Sequence, residues 1–184
     1  MNKFRSFFAL FVVIMALSFV SANAFGLAIS KPGPSKTIEQ QVSRKLRSLF
    51  NYNVFDYITF QVAGNTVTLN GKVNSLGTRS EAESVVKHIP GVTNVVNNIE
   101  NLPPSSFDDS IRIRTLRTFV AHGPSQYFSE INPDVRIIVD GGNVTLEGFV
   151  TNSGDFNRLN ILANSVSGVF HVQNNLVVGK DVDR

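Results

Sequence analysis

The three histidines of the chain, His88, His122 and His171, are scattered. None has another His two or four residues away, the spacing at which two imidazoles on one strand or helix could share a metal ion. Cysteine is absent, which excludes disulfides, thiolate metal sites and a cysteine nucleophile together. Neither a Gly-x-Ser-x-Gly elbow nor a phosphate-binding glycine loop can be found. Glu81 and Glu83 belong to a helix start, where acids favour the dipole, and no two carboxylates are evidently paired across a cleft. The expectation is a protein that is not an enzyme, with no catalytic residues, no metal and no cofactor.

The stretch "IRIRTLRTFVAHGPSQYF", Ile111 to Phe128, offers a different chemistry. On a helical wheel Ile111, Thr115 and Phe119 make one stripe. Ile113, Leu116 and Val120 make another, more than a quarter-turn away, although a helix covering one small sheet needs a single apolar face. Arg112 and Arg117 flank the second stripe, Arg114 lies beyond, and Tyr127 and Phe128 follow in a loop. Two readings account for the surplus stripe. In one it faces a membrane surface, with apolar side chains in the acyl boundary, arginines on lipid phosphates and aromatics at the interface. In the other it packs against the first half of the chain, since apolar patches mark interaction without naming the partner. The candidate lipid- or partner-binding residues are Arg112, Ile113, Leu116, Arg117, Val120, Tyr127 and Phe128. Arg44, Lys45 and Arg47, on an earlier helix, read as a solvated face.

The elements that position these residues come twice. Val-Thr-Leu-x-Gly-x-Val begins at Val67 and again at Val144, and from Ile58 to Ile99 the two copies align without a gap at an offset of 77 residues. Ile38, Val42, Leu46 and Leu49 predict an amphipathic helix over 37–50, matched in the second copy by Ile111 to Ala121. An alternating strand over 58–63 meets a second over 66–73 through Gly64-Asn65, and Gly141-Gly142-Asn143 is the matching turn signal. Thr78-x-x-Glu81 reads as a capping box opening a helix to about His88, with Asp155 the cap in the second copy. A last strand, about 93–100 and 170–178, closes each copy. The fold class is therefore α+β: two tandem αββαβ units, each a three-stranded mixed sheet covered by two helices, with a parallel right-handed crossover. Gly71 and Gly148 lie inside strands, where glycine marks a bulge or the close approach of another backbone, and the covering helix is expected to come nearest there. Gly91, Gly168, Asn97 and Asn174 repeat with them as structural positions.

The ends frame these units. Lys3 and Arg5, an apolar run from Phe7 to Val20 and Ala22-Asn23-Ala24 read as a secretory signal peptide over 1–24; the run is shorter than the ~20 residues of a bilayer span. Its removal leaves 160 residues with 15 basic against 14 acidic side chains, a net charge of +1, and no basic stripe for nucleic acid. Residues 25–36 form a Pro/Gly lead-in. The first domain spans 37–102, a stiff prolyl linker 103–108, the second domain 109–178, and a tail 179–184.

Taken together, "VTLNGKV", "AESVV" and "IPGVTNVVNNI", with "VTLEGFV" and "SGVFHVQNNL", resemble the BON domain, the bacterial osmotic-stress and nodulation module, present here twice. Tandem units behind a signal peptide resemble the family of the osmotically inducible periplasmic protein Y. The resemblance implies a periplasmic, non-catalytic protein that binds phospholipid and supports the envelope under osmotic or related stress. With no cysteine, the chain cannot carry the lipid anchor of the lipoprotein members. The same αββαβ unit resembles ring-building modules of secretion machinery, so the alternative is an envelope-protein partner or a homo-oligomer. A KH-like RNA-binding reading fails because the G-x-x-G loop is missing.

Overall fold

Spacings of four place Ile38, Val42 and Leu46 on one side of a helix, and a capping box starts it: Gln40 N–H bonds the Thr37 hydroxyl and the Gln40 side chain returns to Thr37 N–H. This helix, α1 (Ile38–Arg47), opens the first repeat of a computed structural model that describes residues 37–129 and 131–179. The expected signal peptide, the lead-in and all but the first residue of the tail lie outside these residues. The repeat continues through β1 (Tyr57–Ala63), β2 (Thr66–Val73), α2 (Thr78–Lys87) and β3 (Asn94–Asn101). The second repeat contains α3 (Ser106–His122), a 3-10 turn (Ser125–Tyr127), β4 (Val135–Asp140), β5 (Asn143–Val150), α4 (Ser153–Asn164), β6 (His171–Asn174) and β7 (Val177–Val178). Each sheet has an antiparallel hairpin and a parallel third strand reached through a helix, as the sequence predicts. The third strand of the second repeat is two short pieces rather than one. Pairing lapses at Asn175 and Leu176 and resumes where Phe149 meets Val177.

Each repeat buries its own core between helices and sheet. Val42, Leu46, Val67, Leu69, Val86 and Ile99 fill the first. Ile111, Phe119, Ile137, Leu146, Leu159 and Ala163 fill the second. Ile111, Thr115 and Phe119 are fully buried, so the first stripe of the wheel is the core-facing one.

The helix starts differ from the sequence reading. Gly77, with φ +99°, stands at the N-cap of α2 without a side-chain bond, and Thr78 lies inside the helix with its hydroxyl buried and unpaired. The turn out of β2 needs a left-handed residue, and that need overrides the Thr78–Glu81 pattern. For α4 the cap is Asn152, whose side chain accepts from Asp155 N–H; Asp155 is three residues in. The helix α3 begins at Ser106, within the stretch read as linker, because Ser105 caps it by accepting from Asp108 N–H.

The repeated residues hold the repeat together, though not as expected at the glycines. A Cβ on Gly71 would collide with the Tyr57 carbonyl oxygen, and one on Gly148 with that of Asp134. The close approach is the entering end of the neighbouring strand, not the helix. The asparagines repeat in full. Asn97 donates to Arg79 O (3.0 Å) and accepts from Ile99 N–H (3.2 Å); Asn174 donates to Phe156 O and accepts from Leu176 N–H, both at 3.2 Å. Each pins the third strand to the second helix. Gly91 and Gly168 have φ +93° and +92°, and an added Cβ would press on Ile38 and on Arg114 and Ile111.

The two repeats belong to one compact unit. Ile137 N–H donates to Val54 O at 2.8 Å, so residues 53–55 of the first repeat lie along the edge of β4. Val54 and Phe55 pack on the second core. The Arg136 guanidinium lies 4.3 Å from the centre of the Tyr52 ring and donates to Asn53 O at 2.8 Å. Lys72 reaches Asp140 at 2.8 Å.

Candidate functional site

The surplus stripe of α3 does not pack on the first repeat. That repeat covers β4 instead, and Ile113 and Val120 remain 41% and 50% exposed. Leu116 is half-buried against the second core. Arg117 and Arg114 are exposed, and with Asp109, Ser110 and Ile113 they line a shallow surface depression. Four of the expected residues, Ile113, Leu116, Arg117 and Val120, therefore lie along one side of one helix.

Three of the expected residues turn inward. Arg112 is 2% exposed: it pairs with Asp109 at 2.6 Å and donates to Val139 O, fastening α3 to β4. It is not a surface cation, because on the wheel it falls nearer the Ile111–Phe119 side than the alternation of arginines implies. Tyr127 is buried too. Its hydroxyl accepts from Thr151 N–H (2.9 Å) and donates to Asp155 (2.7 Å). Phe128 is half-buried, its ring 5.2 Å from that of Phe119. These two aromatics help close the second core under the α3–β4 loop, Tyr127 wholly and Phe128 in part.

Two aromatics the sequence did not single out take their place. Phe107, in the first turn of α3, and Phe170, before β6, are 45% and 74% exposed with ring centres 5.7 Å apart. They sit over the β4–β5 turn: a Cβ on Gly142 would strike the Phe170 ring. That turn is fixed from below by the buried Asp108 carboxylate, which accepts from Gly141 N–H (3.0 Å) and Gly142 N–H (2.8 Å). Both Arg114 and Arg117 are exposed to solvent on this side of α3. The surface is thus apolar and cationic, held on a rigid base. Phe107 was hidden by the linker reading and Phe170 by the strand reading; the pairing of the two is tertiary.

A second concavity, a cleft of about 710 Å³, lies between the repeats and is lined by residues such as Ser43, Arg47, Tyr57, Asp134, Arg136 and Phe149. Burial pushes Arg136 below its ordinary pKa, opposed by Tyr52 and Asp56 nearby. In its wall Arg136 joins the two repeats, through the Tyr52 ring and the Asn53 carbonyl. Among the described residues no group of three or more His, Cys, Asp or Glu could hold a metal ion, and no helix is long and apolar enough to cross a membrane.

Among solved structures the chain is similar to the C-terminal domain of CdsD, a structural protein of the type III secretion system of Chlamydia trachomatis. Identity is 12% over 75% of this chain and 95% of that one, with a TM-score of 0.31. A second CdsD structure gives 12% identity, 77% and 91% coverage and a TM-score of 0.28. At these scores the likeness carries no argument about function. No curated protein matches the sequence. The family model of the BON domain matches residues 35–103 and 111–180, so the chain belongs to the BON family and carries its domain twice in tandem.

Proposed function

We propose that this protein is a non-catalytic binding protein of the bacterial periplasm, reached through a cleaved signal peptide, that associates with phospholipid membrane surfaces and supports the envelope under osmotic or related stress. The observation that carries the reading is the outer side of α3. Ile113 and Val120 stand exposed beside Arg114 and Arg117, with the Phe107–Phe170 pair at the end of the same helix. A surface that docks in a membrane interface combines apolar side chains with arginines in this way. Each arginine near an anionic surface contributes about 1 kcal/mol, and each inserted apolar side chain up to roughly 1.5–3 kcal/mol. Membership in the BON family, whose domains are linked to membrane and phospholipid association, supports the same reading.

The test is co-sedimentation of residues 25–184 with vesicles of anionic or neutral lipid at low and moderate salt. Binding to anionic vesicles that weakens with salt is expected. Exchange of Ile113 and Val120 for Ser, or of Arg114 and Arg117 for Glu, should reduce it while thermal stability is kept. Absence of binding in every condition, with oligomers forming as concentration rises, would replace the membrane by a protein partner. The outer edge of β3, unpaired in the first sheet, is where such a partner could add a strand.

A further inference from the structure

The two most exposed large apolar residues of the first repeat are Phe50 (92%) and Leu76 (78%). They stand on different loops, after α1 and before α2, yet the structure ties those loops together. Phe50 N–H donates to the Glu81 carboxylate at 3.2 Å, in the first turn of α2. The buried Asp56 carboxylate accepts from Asn53 N–H (3.1 Å) with one oxygen and from Asn74 N–H (2.7 Å) with the other. Gly77, with φ +99°, turns the chain sharply after Leu76. Two apolar tips on cross-braced turns are a built feature, because a braced loop cannot collapse to hide them. Exposed cations stand on the two helices that flank these loops: Arg44 and Lys45 in the last turn of α1, and Arg79 in the first turn of α2.

We infer that this end of the first repeat is a second membrane contact, taking an anionic phospholipid surface through Phe50 and Leu76 with Arg44, Lys45 and Arg79. The inference rests on the membrane reading of α3 and extends it to two sites on one chain. Chain connectivity places them near each other. Leu102 N–H bonds Val73 O at 2.8 Å, and Lys72 reaches Asp140 at 2.8 Å beside the turn under Phe107 and Phe170. Phe107 lies five positions beyond Leu102 and Leu76 three beyond Val73, so Leu76 and Phe107 lie within about 35 Å of each other. Two weak contacts held at fixed spacing reinforce one another, because engaging the first raises the local concentration of the second.

The absence of cysteine makes the test direct, since any introduced thiol is the only one. Leu76→Cys, Ile113→Cys and, on the open sheet face, Gln61→Cys would each carry an environment-sensitive fluorophore. The vesicles are phosphatidylglycerol and phosphatidylcholine in equal parts. A blue shift at positions 76 and 113 and none at 61 is expected. In unlabelled protein, Phe50→Ser with Leu76→Ser should lower the bound-to-free ratio by about tenfold. A shift at 113 alone, with that double variant binding as tightly as the parent, would overturn the second contact and leave α3 as the membrane face. A shift of equal size at 61 would overturn it as well, since the protein would then embed without orientation. No shift at 76 or 113 and no co-sedimentation would overturn both readings.

Discussion

Replacing Gly71 by Ala tests the account of the strand glycines. The position has φ +138°, which side chains rarely adopt, at a cost of roughly 1–3 kcal/mol. The new methyl would also overlap the Tyr57 carbonyl, so the start of β1 must move away from β2; such overpacking costs about 1–3 kcal/mol more. The total is about 2–6 kcal/mol, against the roughly 5–15 kcal/mol that a folded protein commonly has. Gly64→Ala is the control. It also has positive φ, at +60°, but no atom lies within 4 Å of the added methyl, so only the left-handed penalty of about 1–2 kcal/mol applies. Urea denaturation followed by circular dichroism should find Gly71→Ala at least about 1 kcal/mol less stable than Gly64→Ala. At roughly 4–8 °C per kcal/mol for a domain of this size, the gap is readable in Tm. Gly148→Ala should behave as Gly71→Ala does, through Asp134. Equal losses at 64 and 71 would refute the reasoning, because backbone conformation alone would then explain the glycine.

Tyr127→Phe should destabilise by about 1–3 kcal/mol in urea, because Thr151 N–H loses its partner and Asp155 keeps only the Asn152 amide. Vesicle binding should be unaffected wherever the variant is folded. Arg136→Met should loosen the two repeats by about 1–3 kcal/mol, through the lost bond to Asn53 O and the lost contact with the Tyr52 ring. Faster proteolysis between Leu102 and Ser105 would report it. Burial raises the Asp56 carboxyl above its ordinary 3.8, against the lowering effect of backbone N–H bonds from Asn74 and Asn53. The folded state then holds the proton more tightly than the unfolded one, so the Asp56 contribution grows as pH falls through the folded pKa towards 3.8 and levels off below it. The stability of wild type relative to Asp56→Asn, measured in urea from pH 7 down to about 4, should therefore rise; a falling difference would contradict the burial.

The parts of the molecule legible in the sequence are those enforced twice. Val67 and Val144, Leu69 and Leu146, and Ile99 and Leu176 recur at one offset and are buried in both repeats. The strand glycines and the Asn97–Asn174 pair were legible as structural by the same recurrence, although the partner of each had to come from the fold. Cap chemistry was less legible. Thr78-x-x-Glu81 has the right letters, but the backbone conformation demanded at Gly77 decides where α2 starts. The candidate surface was half legible. The wheel separated the two faces of α3, yet Arg112 lies at their border, and the carbonyl of Val139, from another element, draws it inward. Tyr127 read as an interfacial aromatic because its type fits a membrane boundary as well as a core; only Thr151 and Asp155 distinguish the two. Phe107 and Phe170 lie 63 positions apart, and nothing local announces that their rings meet.

Equivalent positions that differ between the repeats show how the pair is closed. The N–H after the second strand is Asn74 in one repeat and Thr151 in the other. The first is satisfied by the Asp56 carboxylate and the second by the Tyr127 hydroxyl, so one backbone demand is met by two chemistries. On the open face of the first strand, Arg136 and Ile138 occupy the places of Thr59 and Gln61. Arg136 and Ile138 are 7% and 5% exposed, whereas Thr59 and Gln61 are open to solvent. The second repeat therefore presents an arginine and an isoleucine to be covered, and the first presents polar side chains that need no cover. A head-to-tail contact between identical surfaces would propagate from copy to copy. In this chain the two surfaces are not identical, since the first repeat has Thr59 and Gln61 where the second has Arg136 and Ile138.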